Sequence, residues 1–185
     1  VNYGDDGTAV EAVAGTGYHF VDWSDGSITN PRTDENVMED ISVTANFTES
    51  EFSLSVNTVG TGSVSRDKAP PYNLNDVVEL TATPGIGWSF SAWSGDLSGT
   101  TNPQNITIDG NKSVTATFTI NNYILTYTAG AGGTISGTTP QAVNYGDDGT
   151  TVEAVPGTGY HFVDWSDGSI VNPRTDENVT ADVSV

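Results

Sequence analysis

The chain has 185 residues, with 24 acidic and 5 basic side chains and a formal net charge of −19. This charge argues against nucleic acid as a partner, because phosphate binding needs clustered Lys and Arg, and it disfavours anionic membrane surfaces. No apolar run reaches the roughly 20 residues that span a bilayer, so no membrane insertion is expected. The absence of Cys excludes disulfides and thiolate metal sites.

Two nearly identical segments bound the chain. Residues 1–43 recur at 143–185, and 37 of these 43 positions are identical. A divergent copy lies between them, and its Trp93 stands 70 residues after Trp23 and 72 residues before Trp165. The sequence therefore predicts a tandem array of units of about 71 residues.

Three units follow from this spacing. Residues 1–50 are the first repeat, of type A, which lacks its N-terminal strand. Residues 51–120 are the middle repeat, a complete unit of type B. Residues 121–185 are the last repeat, again of type A, which lacks the end of its C-terminal strand. We expect the chain to be a window on a longer alternating array.

The apolar residues of the middle repeat recur with a period of two, which is typical of half-buried β-strands. This alternation predicts a buried and an exposed set, because a one-residue slip would reverse every side chain. The buried set is Leu54, Val56, Val78, Leu80, Phe90, Val114, Ala116 and Phe118. The exposed set is Ser55, Glu79 and Thr117. Asp109-Gly110 predicts a tight hairpin turn between the strands on either side.

Aromatic residues stand at matching places in the units. A domain of about 70 residues buries little surface, so we expect aromatics to supply much of each core. They are Tyr18/Trp88/Tyr160, Phe20/Phe90/Phe162, Trp23/Trp93/Trp165 and Phe47/Phe118. A carbohydrate-stacking platform is the alternative use of these rings, but the core-like spacing favours packing.

The middle repeat carries a recognisable order of motifs. A strand of alternating Ser and apolar residues ends in Gly-Thr-Gly at 60–62, and Val-Glu-Leu-Thr-Ala-Thr-Pro follows at 78–84. Gly-Ile-Gly-Trp-Ser-Phe-Ser-Ala-Trp-Ser-Gly-Asp occupies 85–96, and an Asn-Pro segment closes the unit at 102–118. This order resembles the divergent internalin-type B repeats, or bacterial surface repeats. The resemblance implies an all-β fold of β-grasp-like or small β-sandwich units, in tandem on secreted or surface proteins.

Acidic residues are the first candidate site. Asp5-Asp6, Asp147-Asp148 and the Asp pairs 22/25 and 164/167 could ligate Ca²⁺, a hard cation that takes oxygen ligands. However, Asp-Trp-Ser-Asp-Gly lacks the alternating acidic ligands and distal Glu of a calcium loop. Asp-Gly pairs also form turns, and this interpretation is favoured.

Catalytic candidates are weak. His19 and His161 lie one per type A unit and are expected at exposed strand positions. The pairs Asp34-Glu35 and Asp176-Glu177 could suggest glycoside hydrolysis, which needs two carboxyl groups across a cleft that a small sheet does not offer. The sequence therefore predicts no enzyme, no catalytic, cofactor-binding or metal-binding residues, and no cofactor.

The leading functional hypothesis is a non-catalytic extracellular stalk, spacer, or fibre or matrix element. Its partners would be neighbouring repeats of the same chain and, in a fibre, other copies. The first alternative is an adhesin-type module that recognises a glycan or surface protein through an edge strand or loop. The second is an accessory region of a secreted polysaccharide-degrading enzyme.

Overall fold

The computed structural model describes all 185 residues, and they form thirteen β-strands in several small sheets. The prediction of an all-β tandem array is confirmed. No segment forms a helix with the length and apolarity that a membrane crossing requires. The strands are β1 (Tyr18–Trp23), β2 (Ala45–Glu49), β3 (Leu54–Val59), β4 (Gly62–Arg66), β5 (Val77–Pro84), β6 (Trp88–Gly95), β7 (Gln104–Thr107), β8 (Lys112–Ile120), β9 (Asn122–Thr126), β10 (Gly133–Ser136), β11 (Gln141–Asn144), β12 (Glu153–Pro156) and β13 (Val183–Ser184).

By its internal contacts the chain divides into two compact units. Compact unit 1 consists of Val1–Ser55, Asp67–Glu79 and Asn105–Lys112, and compact unit 2 consists of Val56–Arg66, Leu80–Gln104 and Ser113–Val185. Strands β3, β5, β7 and β8 have residues in both units.

Compact unit 1 contains an antiparallel pair of strands, β1 and β2. Phe20 lies opposite Phe47 and Trp23 lies opposite Ala45, and the register shifts between Phe20 and Asp22. The Phe20 and Phe47 rings meet edge to face at 6.0 Å between centroids. The buried apolar side chains of this unit are Trp23, Leu54, Tyr72, Val78, Ile106 and Ile108.

Compact unit 2 repeats that register in β6 and β8. Phe90 lies opposite Phe118 and Trp93 opposite Ala116, with the irregularity at the corresponding place. In the middle repeat the sheets have the orders β3-β8-β6 and β4-β5-β7.

In the last repeat β9 pairs antiparallel with β11 and parallel with β13, and β10 pairs with β12. The core of the last repeat consists of Leu125, Tyr127, Val143, Val152, Trp165 and Val179.

The predicted faces of the middle repeat are confirmed at most positions. Leu54, Val78, Leu80, Val114, Ala116 and Phe118 are buried, while Ser55 and Glu79 are exposed. The other three, Val56, Phe90 and Thr117, are half-buried. The direction of the alternation is thus correct, although Val56 and Phe90 are less buried than expected and Thr117 is more buried than expected.

The repeated tryptophans Trp23, Trp93 and Trp165 are buried, as expected of aromatics that supply the cores, whereas Tyr18, Tyr160 and Phe47 are exposed. Tyr18 is 49% exposed and Tyr160 is 63% exposed. A Cβ on Gly132 would lie 2.3 Å from the Tyr160 ring, so this ring covers a glycine with one face and leaves the other open. Phe47 is 40% exposed because β2 has a neighbour on one side only.

The predicted hairpin at Asp109-Gly110 is also wrong. Strands β7 and β8, which flank this dipeptide, belong to different sheets. Gly110 does not adopt the positive φ of a tight primed turn. The segment between these strands therefore connects two sheets, and its Ile108 side chain is fully buried.

Candidate functional site

Each repeat contains a buried tryptophan whose indole N–H donates to a backbone carbonyl oxygen. Trp23 Nε1 lies 2.9 Å from Thr29 O. The corresponding distances are 2.8 Å from Trp93 to Thr101 and 2.9 Å from Trp165 to Val171. Because the buried indole group has its partner, this large side chain can fill a small core without an unpaired polar atom.

The residue after each of these carbonyl groups is an asparagine. Its side-chain amide forms hydrogen bonds with both the N–H and the carbonyl group of one alanine, as a neighbouring strand would. The Asn102 amide oxygen accepts the Ala82 N–H at 2.8 Å, and its amide nitrogen donates to Ala82 O at 2.7 Å. Asn30 makes the same two bonds with Ala12, and Asn172 makes them with Ala154. All three asparagines precede a cis proline. The Asn-Pro motif therefore ties the loop after the tryptophan to β5 in the middle repeat, to β12 in the last repeat and to the segment around Ala12 in the first.

In both type A repeats an arginine lies over the tryptophan and holds two aspartates. The Arg174 guanidinium carbon is 5.7 Å from the Trp165 ring centroid. Its nitrogens donate to Asp167 at 2.7 Å and to both oxygens of Asp176 at 2.8 and 2.6 Å. The Tyr127 hydroxyl donates to the same Asp176 carboxylate at 2.6 Å. In the first repeat Arg32 contacts Trp23, Asp25 and Asp34 in the same way.

These contacts change the acidity of the groups involved. The Arg174 hydrogen bonds hold the pKa of Asp176 below its ordinary value, although burial acts in the opposite direction. The pKa of Asp167 is lowered first by the Ser169 backbone N–H and then by Arg174. Burial, followed by the bond to Asp176, raises the pKa of Tyr127. The carboxylates are therefore kept charged, which suits an ion pair and not a general acid.

The middle repeat replaces this polar network with less polar residues. Gln104 follows the cis proline where the type A repeats have arginine, and Ile106 stands two residues later where they have aspartate. Ile106 is buried, and the Gln104 amide nitrogen donates to Ser98 O at 3.2 Å. The Gln104 amide oxygen is buried without a hydrogen-bond partner.

Most of the acidic candidates are thus engaged with protein groups. Beyond the aspartates on the arginines, Asp6 and Asp148 accept backbone N–H groups of Asn36 and Asn178 at 2.8 Å. No group of three or more His, Asp or Glu side chains is arranged to hold a metal ion. Asp25 and Asp167 lie in turns, Asp5 and Asp147 directly follow turns, and Asp22 lies in β1.

The two histidines are exposed, as predicted, but only His19 lies in a strand. His19 Nδ1 lies 3.4 Å from Ser50 Oγ, at the end of the first repeat. His161 lines an open groove of the last repeat, together with Phe162 and Trp165. The structure brings neither of them together with the paired carboxylates Asp34-Glu35 or Asp176-Glu177.

One asparagine links the middle repeat to the last. The Asn121 N–H donates to Gly87 O, and Asn121 O accepts the Tyr145 N–H, both at 2.8 Å. The Ser89 hydroxyl donates to the Asn121 side chain at 2.7 Å. Gly87 has a φ of 75°, and a Cβ there would lie 2.1 Å from the Tyr145 ring. The absence of a side chain at Gly87 thus lets the next repeat pack directly against its backbone.

The first and middle repeats meet through corresponding residues. The Ser50 N–H donates to Gly17 O at 2.7 Å. Gly17 has a φ of 82°, and a Cβ on it would lie 3.1 Å from Leu74. The Asn73 side chain donates to the Glu49 carboxylate. Both junctions therefore pair a glycine of one repeat with a large apolar side chain of the next.

Sequence reasoning missed the arginine clamps and the junctions. Arg32 and Arg174 are two of only five basic residues, and they occupy identical positions in the type A repeats. This repetition could have marked the arginine clamps in the sequence. The junctions are harder to recognise in the sequence, because Leu74 and Tyr145 occupy corresponding positions but are different residue types. Only their shared position after an asparagine marks them.

The sequence model of the divergent InlB B-repeat domain matches the chain three times, at residues 1–51, 52–122 and 123–185. No curated protein and no solved structure matches the chain. The family is associated with bacterial surface proteins. Because these three matches together cover the whole sequence, the predicted resemblance is confirmed: the chain belongs to the divergent InlB B-repeat family.

Proposed function

We propose that this chain is a non-catalytic structural segment of a bacterial extracellular or surface protein, in which successive repeats act as a stalk, a spacer, or an element of a fibre or matrix. Its immediate partners are then the neighbouring repeats of the same chain. A ligand, a cofactor or a metal ion is not needed for this role.

The observation that carries the proposal is the pair of junctions. At each one the residue that directly follows a strand, Ser50 after β2 or Asn121 after β8, donates its N–H to the glycine carbonyl of the preceding repeat. At each one a side chain of the following repeat, Leu74 or Tyr145, lies against that glycine. Flexible linkers lack such contacts, so these junctions support a function in which the spacing between repeats matters.

The surroundings of the titratable groups support a non-catalytic role. The carboxylates of Asp25, Asp34, Asp167 and Asp176 are held by arginine, and the histidines are exposed. A catalytic carboxyl group is usually one whose pKa is moved toward the working pH, whereas the pKa values of Asp25, Asp167 and Asp176 are moved away from it.

Small-angle X-ray scattering on chains of different repeat number tests this role. Residues 1–142 make up one full A–B period, so one or two further copies of this period can be fused to the N-terminus without a new junction sequence. A stalk or spacer predicts that the maximum dimension rises in proportion to the number of copies. A dimension that rises only with the cube root of the mass would contradict the proposal, because that is the behaviour of a globule.

A further inference from the structure

The first and the last strand of the middle repeat are neighbours in one sheet. That sheet has the order β3-β8-β6, so β8 is its central strand and β3 lies along one edge of β8. Where the two strands begin, the Lys112 N–H donates to Ser53 O at 2.8 Å. Where they end, a Cβ on Gly60 would lie 2.3 Å from Phe118 O. Because start lies beside start and end beside end, β3 and β8 run parallel.

The last repeat contains the same parallel contact. Val183 of β13 lies opposite Leu125 of β9, and this pairing is parallel. In the alignment of the repeats these two residues correspond to Lys112 and Leu54, which begin β8 and β3. The parallel contact is therefore a property of the repeat and not of one copy.

A side-chain oxygen lengthens each of these ladders at its start. Asn111 Oδ1 accepts the Ser53 N–H at 2.9 Å and the Ser53 hydroxyl group at 3.1 Å. In the last repeat Asp182 Oδ1 accepts the Ile124 N–H at 2.8 Å. Asn111 and Asp182 directly precede β8 and β13, so both repeats fasten the start of the first strand to the turn before its parallel partner.

The parallel pairing determines how a pulling force acts on the repeat. The chain enters β3 at Leu54 and leaves β8 at Ile120, and these residues lie at opposite ends of the pair. Tension along the chain therefore slides the two strands past each other, so that their hydrogen bonds must break together. In an antiparallel pair the same tension would open the hydrogen bonds one after another. Forced unfolding depends on the height of the unfolding barrier, which is larger for the first process.

We propose that the repeat is a load-bearing element, in which the parallel pair of β3 and β8 resists tension along the chain. This inference rests on the proposed role as a stalk or spacer, because such a segment is pulled at both ends. Leu54, Val114 and Phe118 of these strands are buried, and sliding would expose them to water. At its other edge β8 is held by β6, so β3 is the strand that has to detach.

Optical tweezers on the 185-residue chain test the proposal in two pulling directions. The chain has no Cys, so two introduced cysteines give unique attachment points. Glu51→Cys with Thr119→Cys loads the β3–β8 pair in shear, whereas Glu51→Cys with Asp109→Cys opens the same pair from its start. All three side chains are exposed. At a fixed force the shear attachment should give a folded lifetime at least about tenfold longer, because several hydrogen bonds then break together.

Two single substitutions separate this ladder from the general stability of the repeat. Asn111→Ala removes the acceptor of both Ser53 hydrogen bonds and should shorten the lifetime under shear about tenfold. Asp96→Ala is the matched control, because Asp96 accepts the Ser113 N–H at 2.7 Å on the β6 side of β8. That contact is still intact when β3 detaches, so the lifetime under shear should change by less than about twofold.

Equal lifetimes in the two pulling directions would overturn the proposal, because the orientation of β3 and β8 would then not determine the resistance. An equal effect of Asn111→Ala and Asp96→Ala would also overturn it, since the β3–β8 ladder would not be the part that yields. Neither result affects the scattering test, because an array can be extended and still unfold at a small force.

Discussion

At the scale of single residues, the type A and type B repeats keep the same tryptophan in place by different chemistry. In the last repeat Trp165 has Arg174 across its face, and the charge of Arg174 is balanced by Asp167 and Asp176. In the middle repeat Gln104 follows the cis proline instead. The charged version depends on pH and the neutral version does not, so the two kinds of repeat respond differently to acid.

Replacing Arg174 with glutamine, the residue of the middle repeat, tests this difference. Asp176 and Asp167 have lowered pKa values in the folded state, so they stabilise the fold above the ordinary carboxyl pKa of about 3.9. That stabilisation is lost as the pH falls through their folded values. Arg174→Gln should cost on the order of 2 kcal/mol at pH 7 and flatten the loss of stability below pH 4. Urea unfolding followed by NMR signals of the last repeat measures both effects, and an unchanged pH profile would rule out the clamp as their source.

Two glutamines allow a matched comparison of satisfied and unsatisfied buried amides. Gln141 donates to Thr138 O and Thr150 O and accepts the Thr150 N–H, whereas Gln104 makes one long bond and has an unpaired oxygen. Gln141→Met should cost about 2–3 kcal/mol, because it removes three hydrogen bonds and leaves backbone groups unpaired. Gln104→Met should change stability by less than about 1 kcal/mol, since the unpaired oxygen is removed with the weak bond. Chemical denaturation compares the two variants, and equal losses would show that Gln104 is satisfied in solution.

At the scale of secondary structure, the sequence was informative about faces and less so about partners. The alternation around Glu79 predicted that Val78 and Leu80 are buried, because the two-residue period is a local property. Pairing is not local. Asp109-Gly110 suggested that β7 and β8 form a hairpin, yet these strands join different sheets.

The candidate site was predictable only in part for the same reason. The exposure of His19 and His161 and the turns at Asp25 and Asp167 follow from local patterns. The clamp around Arg174 depends on Tyr127, which lies 47 residues away in the chain, and no spacing rule connects the two. The exposure of Tyr160 depends on its contact with Gly132, where the ring covers backbone instead of entering the core.

At the scale of the whole molecule, the junctions decide whether the repeats behave as a connected array. Gly87 and Gly159 occupy the same position in successive repeats and have similar φ values, 75° and 83°. Gly87 has the Tyr145 ring against it, whereas nothing lies within 4 Å of the Cβ position of Gly159. These two glycines thus separate the cost of an unfavourable backbone angle from the cost of a lost junction.

Alanine at each of the two positions tests the coupling between repeats. Gly159→Ala should cost about 1 kcal/mol from the positive φ alone. Gly87→Ala should cost more, because its Cβ displaces the Tyr145 ring, and it should speed amide exchange of the Asn121 and Tyr145 N–H groups that close the junction. In a double-mutant cycle, Tyr145→Ala should remove most of the extra cost of Gly87→Ala, since residues in contact do not contribute additively. Equal losses for the two glycine variants, with unchanged exchange at Asn121, would mean that the repeats are joined by the chain alone and that the junction transmits no stability from one repeat to the next.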